Sequence, residues 1–375
     1  MKKTAKKPWL LLSASLFLLV SCSLDVFSRP EAVPKYIFLF IGDGMGANHI
    51  EAARQYADSA EARDNGYAPL RFDDFPATGT ASTHNYIGGV TDSAAAATAI
   101  ASGKKTSNGT INMNPCKTTS FTPITELMKA RGRKVGIVSS GSLDSATPAA
   151  FYASAPSRGD NYDIALQLAN SAFDFFGGGN LSDPLGANDA QASVFDVAED
   201  NGFTIADTMA EVAALTPSNV PVLAVSASTS FPYLADKNAG DPTLAEFTRV
   251  AIDLLDGDEG FFIMAESAKI DSASHAGDSA RMIPEVIALD EAIAEAVAFY
   301  NGHQGETLIV VTSDHETGGL TIADGESFDY ARFSWSTSGH TGQDVKVFAL
   351  GAGQEIFEGA YDNIGIFKRL EVMLE

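Results

Sequence analysis

A chain of 375 residues that is 45% apolar and 19% charged can bury a large core, which excludes a disordered polypeptide. Its formal net charge of −23 argues against nucleic acid as a partner, and any anionic substrate needs a local cationic site to overcome that field.

Lys2, Lys3, Lys6 and Lys7 open the chain, Trp9 to Val20 is an apolar run, and Leu19-Val20-Ser21-Cys22 closes it. This reads as a bacterial lipoprotein signal over residues 1–21, with Cys22 the lipidated residue and 22–35 a tether. The run is too short to span a bilayer with ease, and no later segment is apolar enough to do so. The mature protein is expected outside the cytoplasm, in the periplasm or as an outer-membrane lipoprotein, touching membrane only through Cys22. Losing four lysines with the leader makes it still more acidic. Cys116 is the other cysteine, so no intrachain disulfide is expected.

Tyr36 to Ile41 is a continuous apolar run, the pattern of a parallel strand buried on both faces. It ends in Gly42-Asp43-Gly44-Met45-Gly46-Ala47, which formally matches a dinucleotide-binding fingerprint. The context fails that reading. Glu51 to Asp74 contains no second apolar strand, and Asp43 would set a carboxylate against a pyrophosphate. A carboxylate at the tip of a buried strand, freed by glycines, is better suited to a cation.

Thr91 to Gly103 predicts a short alanine-rich helix with Asp92 and Ser93 at its mouth and Gly103 as its stop. Its first turn offers unpaired N–H groups and the positive end of the helix dipole to an anion beside the Ser93 hydroxyl. Further strands are expected at Lys134–Ser139, Val220–Ser226, Phe261–Ala265, Thr307–Thr312 and Val345–Leu350. Helical periodicity marks Pro123–Arg131, Asn161–Phe173, Thr243–Leu255, Pro284–Tyr300 and Asn363–Leu374. This alternation predicts an α/β fold, a three-layer sandwich with a mostly parallel central sheet flanked by helices. Residues 36–375 are expected to form a single domain, with an insertion around 175–243. The functional site should lie at the carboxyl ends of the strands, where Asp43, Ser139-Ser140, Glu266 and Asp314-His315 fall.

Glu266, Asp271 and His275 follow one strand closely, Asp314-His315 follow another, and His340 stands beside a glycine. Three of the chain's six histidines thus join carboxylates at strand ends, a donor set for hard and borderline cations. His49, His84 and His303 lack such company and read as structural or solvated.

Taken in order, Ile-Gly-Asp43-Gly-Met-Gly, Thr-Asp-Ser93-Ala, Ala-Thr147-Pro-Ala-Ala, Ser-Arg158, Glu266 with Ile-Asp271 and His275, Asp314-His315 and Gly-His340-Thr-Gly resemble the bacterial alkaline phosphatases. The resemblance covers nearly all of the mature chain and implies a metal-dependent phosphomonoesterase with two zinc ions and one magnesium, and a homodimer. By similarity Asp271, His275 and His340 hold one zinc, and Asp43, Asp314 and His315 a second that also touches Ser93. Asp43 then bridges to magnesium held by Thr147 and Glu266. Ser93 is the implied nucleophile and Arg158 the implied grip on phosphate, with small phosphate monoesters as substrates. A phosphodiesterase or sulfatase of the same superfamily, or a non-catalytic lipoprotein binding metal or phosphate, is the competing reading.

Two positions depart from the family pattern. Ser145 stands where relatives often carry Asp or His near the magnesium, and Ser272 where they often carry Lys, His or Trp near the phosphate. Ser145 bears on the affinity for magnesium and on which ion binds there, and from Ser272 weak product retention is expected. Inorganic phosphate should inhibit turnover only modestly, and steady-state inhibition constants for the wild type and Arg158→Ala check this; tight inhibition insensitive to Arg158 would contradict it.

Overall fold

Strand β1 (Tyr36–Gly42) is buried along its whole length, as its unbroken apolar run requires. Phe38 and Phe40 face one side of the sheet, while Ile37, Leu39 and Ile41 face the other, the alternation that a pleated strand imposes. The structure, a computed structural model, describes Met1 and residues 32–64, 66–325 and 327–374. The signal segment after Met1, Cys22 and most of the tether lie outside the described residues. Among those described, no helix is long and apolar enough to cross a membrane, and Cys116 is an exposed free thiol.

The other strands, in chain order, are β2 (Ala77–Ser82), β3 (Lys134–Ser142), β4 (Phe175–Gly179), β5 (Thr204–Ala206), β6 (Val222–Val225), β7 (Phe261–Ser267) and β8 (Thr307–Thr312). Then come β9 (Glu316–Thr317), β10 (Leu320–Ile322), β11 (Phe333–Trp335), β12 (His340–Thr341), β13 (Val345–Gly351) and β14 (Gly359–Asp362). Ten of them form one sheet in the order β14-β2-β13-β8-β1-β7-β3-β4-β6-β5. All of its pairings are parallel except those of β13, which runs against both β8 and β2. Two small antiparallel ribbons, β10 with β11 and β9 with β12, stand beside it.

One face is covered by the helices Ser93–Ser102, Ile124–Ala130, Asn161–Ala169 and Ile364–Val372, and the other by Ala47–Ala57, Leu244–Leu255 and Ser279–Gly302. The three-layer α/β architecture is therefore as expected. Each large apolar side chain removed from water contributes roughly 1.5–3 kcal/mol, and both faces of β1 and β7 are filled with such groups.

The expected elements form with small shifts at their ends: the helix anticipated from Pro284 begins at Ser279, and that over Asn161–Phe173 stops at Ala169. The stretch 175–243, expected as a less regular insertion, carries β4, β5 and β6, which extend the sheet at one edge. Strand β4, Phe-Phe-Gly-Gly-Gly, is fully buried; its glycines conceal it from any propensity argument. Added side chains there would strike Phe175, Phe247 and the backbone of Ser139.

Inside the long helix Ser279–Gly302, the Glu285 carboxylate is buried and accepts a hydrogen bond from the Leu234 N–H at 2.7 Å. Burial pushes it up to about 7, against the opposing pull of that N–H and the Lys269 charge. The sign follows directly. The unfolded chain releases this proton near the ordinary glutamate value while the folded chain retains it, so Glu285 supports folding at low pH and ceases to as pH rises through about 7. Denaturant unfolding from pH 4 to 8 should show Glu285→Gln gaining roughly 3 kcal/mol relative to wild type across that range.

Candidate active site

Parallel register brings the chemistry to one level. Ile41 pairs with Glu266 on one side and Thr312 on the other, and Glu266 pairs with Ser139. Glu266 and Ser139 thus occupy the last turns of pleat in β7 and β3, while Asp43 and Asp314 lie just beyond β1 and β8. The chain turns sharply after Asp43 because Gly44 adopts φ +74°. A side chain there would also lie 2.8 Å from Thr317 Oγ1 and 2.9 Å from Asp271 Oδ1. The Gly44 N–H donates to Asp314 Oδ1 at 3.1 Å, and the His315 N–H donates to the same oxygen at 2.9 Å.

That leaves the other oxygen, Asp314 Oδ2, buried without a hydrogen bond, as are Asp43 Oδ1 and Thr147 Oγ1. Buried oxygens of this kind are costly unless something positive meets them. Burial and the charges of Asp314, Asp271 and Glu266 drive Asp43 far above the usual carboxylate range. Burial also raises Glu266 to about 7, although it accepts a short hydrogen bond from Ser139 Oγ. The field in this corner calls for cations.

The imidazoles answer the same demand. His275 Nδ1 bonds the Ser338 carbonyl at 2.6 Å, His340 Nδ1 the Thr91 carbonyl at 2.9 Å, and His315 Nδ1 approaches Thr317 Oγ1 at 3.3 Å. A carbonyl only accepts, so Nδ1 carries the proton in His275 and His340, and Nε2 of each is directed inward. Those two Nε2 atoms are 3.2 Å apart. Asp271 Oδ2 is 3.2 Å from His275 Nε2, and Asp271 Oδ1 is 3.6 Å from His340 Nε2. His315 Nε2 faces Asp314 Oδ2 at 3.2 Å and Asp43 Oδ1 at 3.6 Å, while burial lowers its basicity. The Asp271 hydrogen bond raises His275 to about 9. Burial alone would raise Asp271, but hydrogen bonding from His275 and the neighbouring His315 bring it down to about 2.

Among the described residues two groups gather tightly enough to bind an ion: Asp43, Asp314 and His315, and Asp271, His315 and His340, with ligand atoms in each within 4.8 Å of one another. His315 faces both groups, a sharing that spacing could not reveal, and His275 closes the second from its more exposed side.

Ser93 opens the helix Ser93–Ser102, all of whose residues are buried. Its Oγ is 3.2 Å from His315 Nε2. Asp92 caps the helix by accepting from the Ala95 N–H at 3.0 Å, and its second oxygen accepts from the Gly109 N–H at 2.9 Å and from Arg158 Nη1 at 3.1 Å. The Arg158 guanidinium, partly exposed, is thereby held over the mouth of the site, and its charge offsets the carboxylates of Asp43 and Glu266. Gly103 ends the helix at φ +67°, where a side chain would strike Phe367.

Of the residues anticipated from sequence, Asp43, Ser93, Asp271, His275, Asp314, His315 and His340 lie against one another, Glu266 bears on Asp43, Thr147 adjoins Glu266, and Arg158 reaches the group through Asp92. His49 is buried and lowered to about 4 by burial; its Nε2 faces Ser274 Oγ at 3.0 Å. His84 pairs with Asp362, and His303 stacks on Phe299. These three are structural. Thr317 and the contacts of Asp92 with Gly109 and Arg158 are not visible in the sequence. Thr317, two residues after His315, carried the only available signal. Ser145 precedes the short helix bearing Thr147, and Ser272 is exposed.

Carboxylates and imidazoles with unsatisfied buried oxygens, set against a serine at a helix N-terminus, define a metal-dependent hydrolase on an α/β sheet. The comparisons carry this further. The family model for alkaline phosphatase matches residues 34–333. The alkaline phosphatases of Escherichia fergusonii and Escherichia coli are 32% and 31% identical, with 91% and 92% of this chain and 86% and 87% of theirs aligned. The crystal structure of alkaline phosphatase from the Antarctic bacterium TAB5 superimposes with a TM-score of 0.81 at 33% identity, covering 91% of this chain and 98% of that one. A variant of that enzyme is described with magnesium in its M3 site. The chain belongs to the alkaline phosphatase family. His340 lies past the segment matched by the family model, and the geometry joins it to the rest of the site.

The crowding of Asp43, Asp314, Asp271 and Glu266 predicts a stability that rises when cations bind. Dialysis against a chelator should lower the melting temperature by several degrees, with recovery on adding zinc at micromolar concentration, read by differential scanning calorimetry.

Proposed function

We propose that this enzyme hydrolyses phosphate monoesters outside the cytoplasm through a phosphoseryl intermediate on Ser93, with two zinc ions and one magnesium. The observation that carries the proposal is Ser93 Oγ lying 3.2 Å from His315 Nε2, the nitrogen that also faces Asp43 and Asp314. His275, His340 and Asp271 suit one zinc, and Asp43, Asp314 and His315 the other, each a mixed nitrogen and oxygen set. Thr147, Glu266 and Asp43 would supply an all-oxygen set of the kind suited to magnesium. Bound there, the cations supply positive charge that lowers the pKa of a hydroxyl or water and stabilises the entering and leaving oxygens.

The residues then divide the work. Ser93 Oγ gives its proton to solvent and attacks phosphorus in line, forming an O–P bond as the ester P–O bond breaks, and the departing alkoxide takes a proton back from solvent. Water next attacks the phosphoserine, releasing inorganic phosphate and returning Ser93 with its proton. Arg158, positioned by Asp92, donates two N–H groups to non-bridging oxygens. The first N–H groups of the Ser93 helix add their dipole. The same cluster provides the local positive charge that a strongly acidic protein needs in order to admit an anion.

The leader and Cys22 support export with lipidation, and the family resemblance supports a homodimer; both belong to this proposal. With p-nitrophenyl phosphate and the zinc- and magnesium-loaded protein, Ser93→Ala should lower kcat at least about 10³-fold. Arg158→Ala should raise KM by roughly one to two orders of magnitude. Turnover that is indifferent to Ser93→Ala would refute the mechanism, and faster cleavage of a phosphodiester than a monoester would refute the substrate class.

A further inference from the structure

The outer partners of the three imidazoles are not alike. His275 and His340 rest on backbone carbonyls, which no substitution removes, whereas His315 rests on a side chain, the hydroxyl of Thr317. Thr317 is fully buried and sits at a crossing point. Its N–H donates to the Gly44 carbonyl at 3.1 Å, next to Asp43, and it pairs across the β9–β12 ribbon with His340. Its hydroxyl makes a short hydrogen bond to Asp271 Oδ1.

A threonine hydroxyl has one proton to give and lone pairs with which to accept. The short contact assigns that proton to Asp271, a carboxylate that only accepts. Toward His315 the hydroxyl must then accept, so Nδ1 carries the hydrogen and the Nε2 lone pair is turned toward Ser93, Asp43 and Asp314. One hydroxyl therefore orients a ligand of one cluster and sets the tautomer of a ligand of the other. We infer that Thr317 is a positioning residue that couples the two metal clusters, presenting Asp271 to one and His315 Nε2 to the other. The inference rests on the metal-centre reading above and adds to it a residue outside both ligand sets.

The test uses the full chain as wild type, Thr317→Val and Thr317→Ser. Valine keeps the size and removes both hydrogen bonds; serine restores the hydroxyl. Stepwise zinc affinity is read by competition with a chromogenic chelator, and the His315 tautomer by imidazole nitrogen NMR shifts of the metal-free protein. Thr317→Val should weaken both zinc steps by roughly 10–100-fold and shift His315 away from the Nδ1–H form, while Thr317→Ser retains the wild-type values. If the valine protein does not fold, Thr317→Ala takes its place in the same comparison. Unchanged affinity without the hydroxyl, a loss confined to one step, or a serine variant as impaired as valine would each overturn the inference. A wild type that takes up no zinc would overturn the metal-centre reading itself, and so separates the two failures.

Discussion

Four carboxylates held together in a nearly dry corner are the constraint on which this structure turns. The charges of Asp314, Asp271 and Glu266 all raise Asp43, and that of Asp314 also raises Glu266. Two like charges a few ångströms apart repel by on the order of 4 kcal/mol even at an effective dielectric of 20. No globular chain gathers such groups for stability. The cost is tolerable because the same corner contains inward-facing imidazole nitrogens and orphaned oxygens, so that divalent charge offsets both repulsion and desolvation. The acidic net charge and the anionic substrate are reconciled there.

The fold makes that corner rigid. Strands β1, β7, β8 and β3 run parallel and in register, so their carboxyl ends form a shelf from which Asp43, Glu266, Asp314 and Ser139 cannot drift independently. The alanine-rich helix of Ser93 packs close because its side chains are small, and the Asp92 cap links helix, loop and Arg158 through a single carboxylate. Ser93, Arg158 and the carboxylates and imidazoles of the corner are therefore carried by different elements but referenced to one frame, the arrangement preorganised catalysis requires.

Much of this was legible in the residue order. Buried parallel strands announce themselves as unbroken apolar runs, which is why β1, β7 and β8 were placed within two residues of their observed ends. Amphipathic helices were equally visible. Strand β4 was not, because three glycines carry no strand preference and it is the close approach of Phe175, Phe247 and the backbones of Ser139, Gly141 and Thr229 that requires them. In the site, ligand types at strand ends were recoverable because carboxylate and imidazole chemistry has few alternatives. The supporting atoms were not: the carbonyls of Thr91 and Ser338 belong to every residue type, and Thr317 resembles any buried threonine until its two contacts are known.

The sequence by itself determined the layer architecture, the helix that presents Ser93, and which carboxylates and imidazoles stand at the strand ends. These follow from local periodicity, capping and donor chemistry. Only the tertiary structure decided that His315 faces both clusters, that His275 and His340 direct their Nε2 atoms at one point, and that a single threonine hydroxyl joins the two groups. The physical reason is distance: Asp43 and Asp314 are far apart along the chain, and strand register brings them within reach of one imidazole.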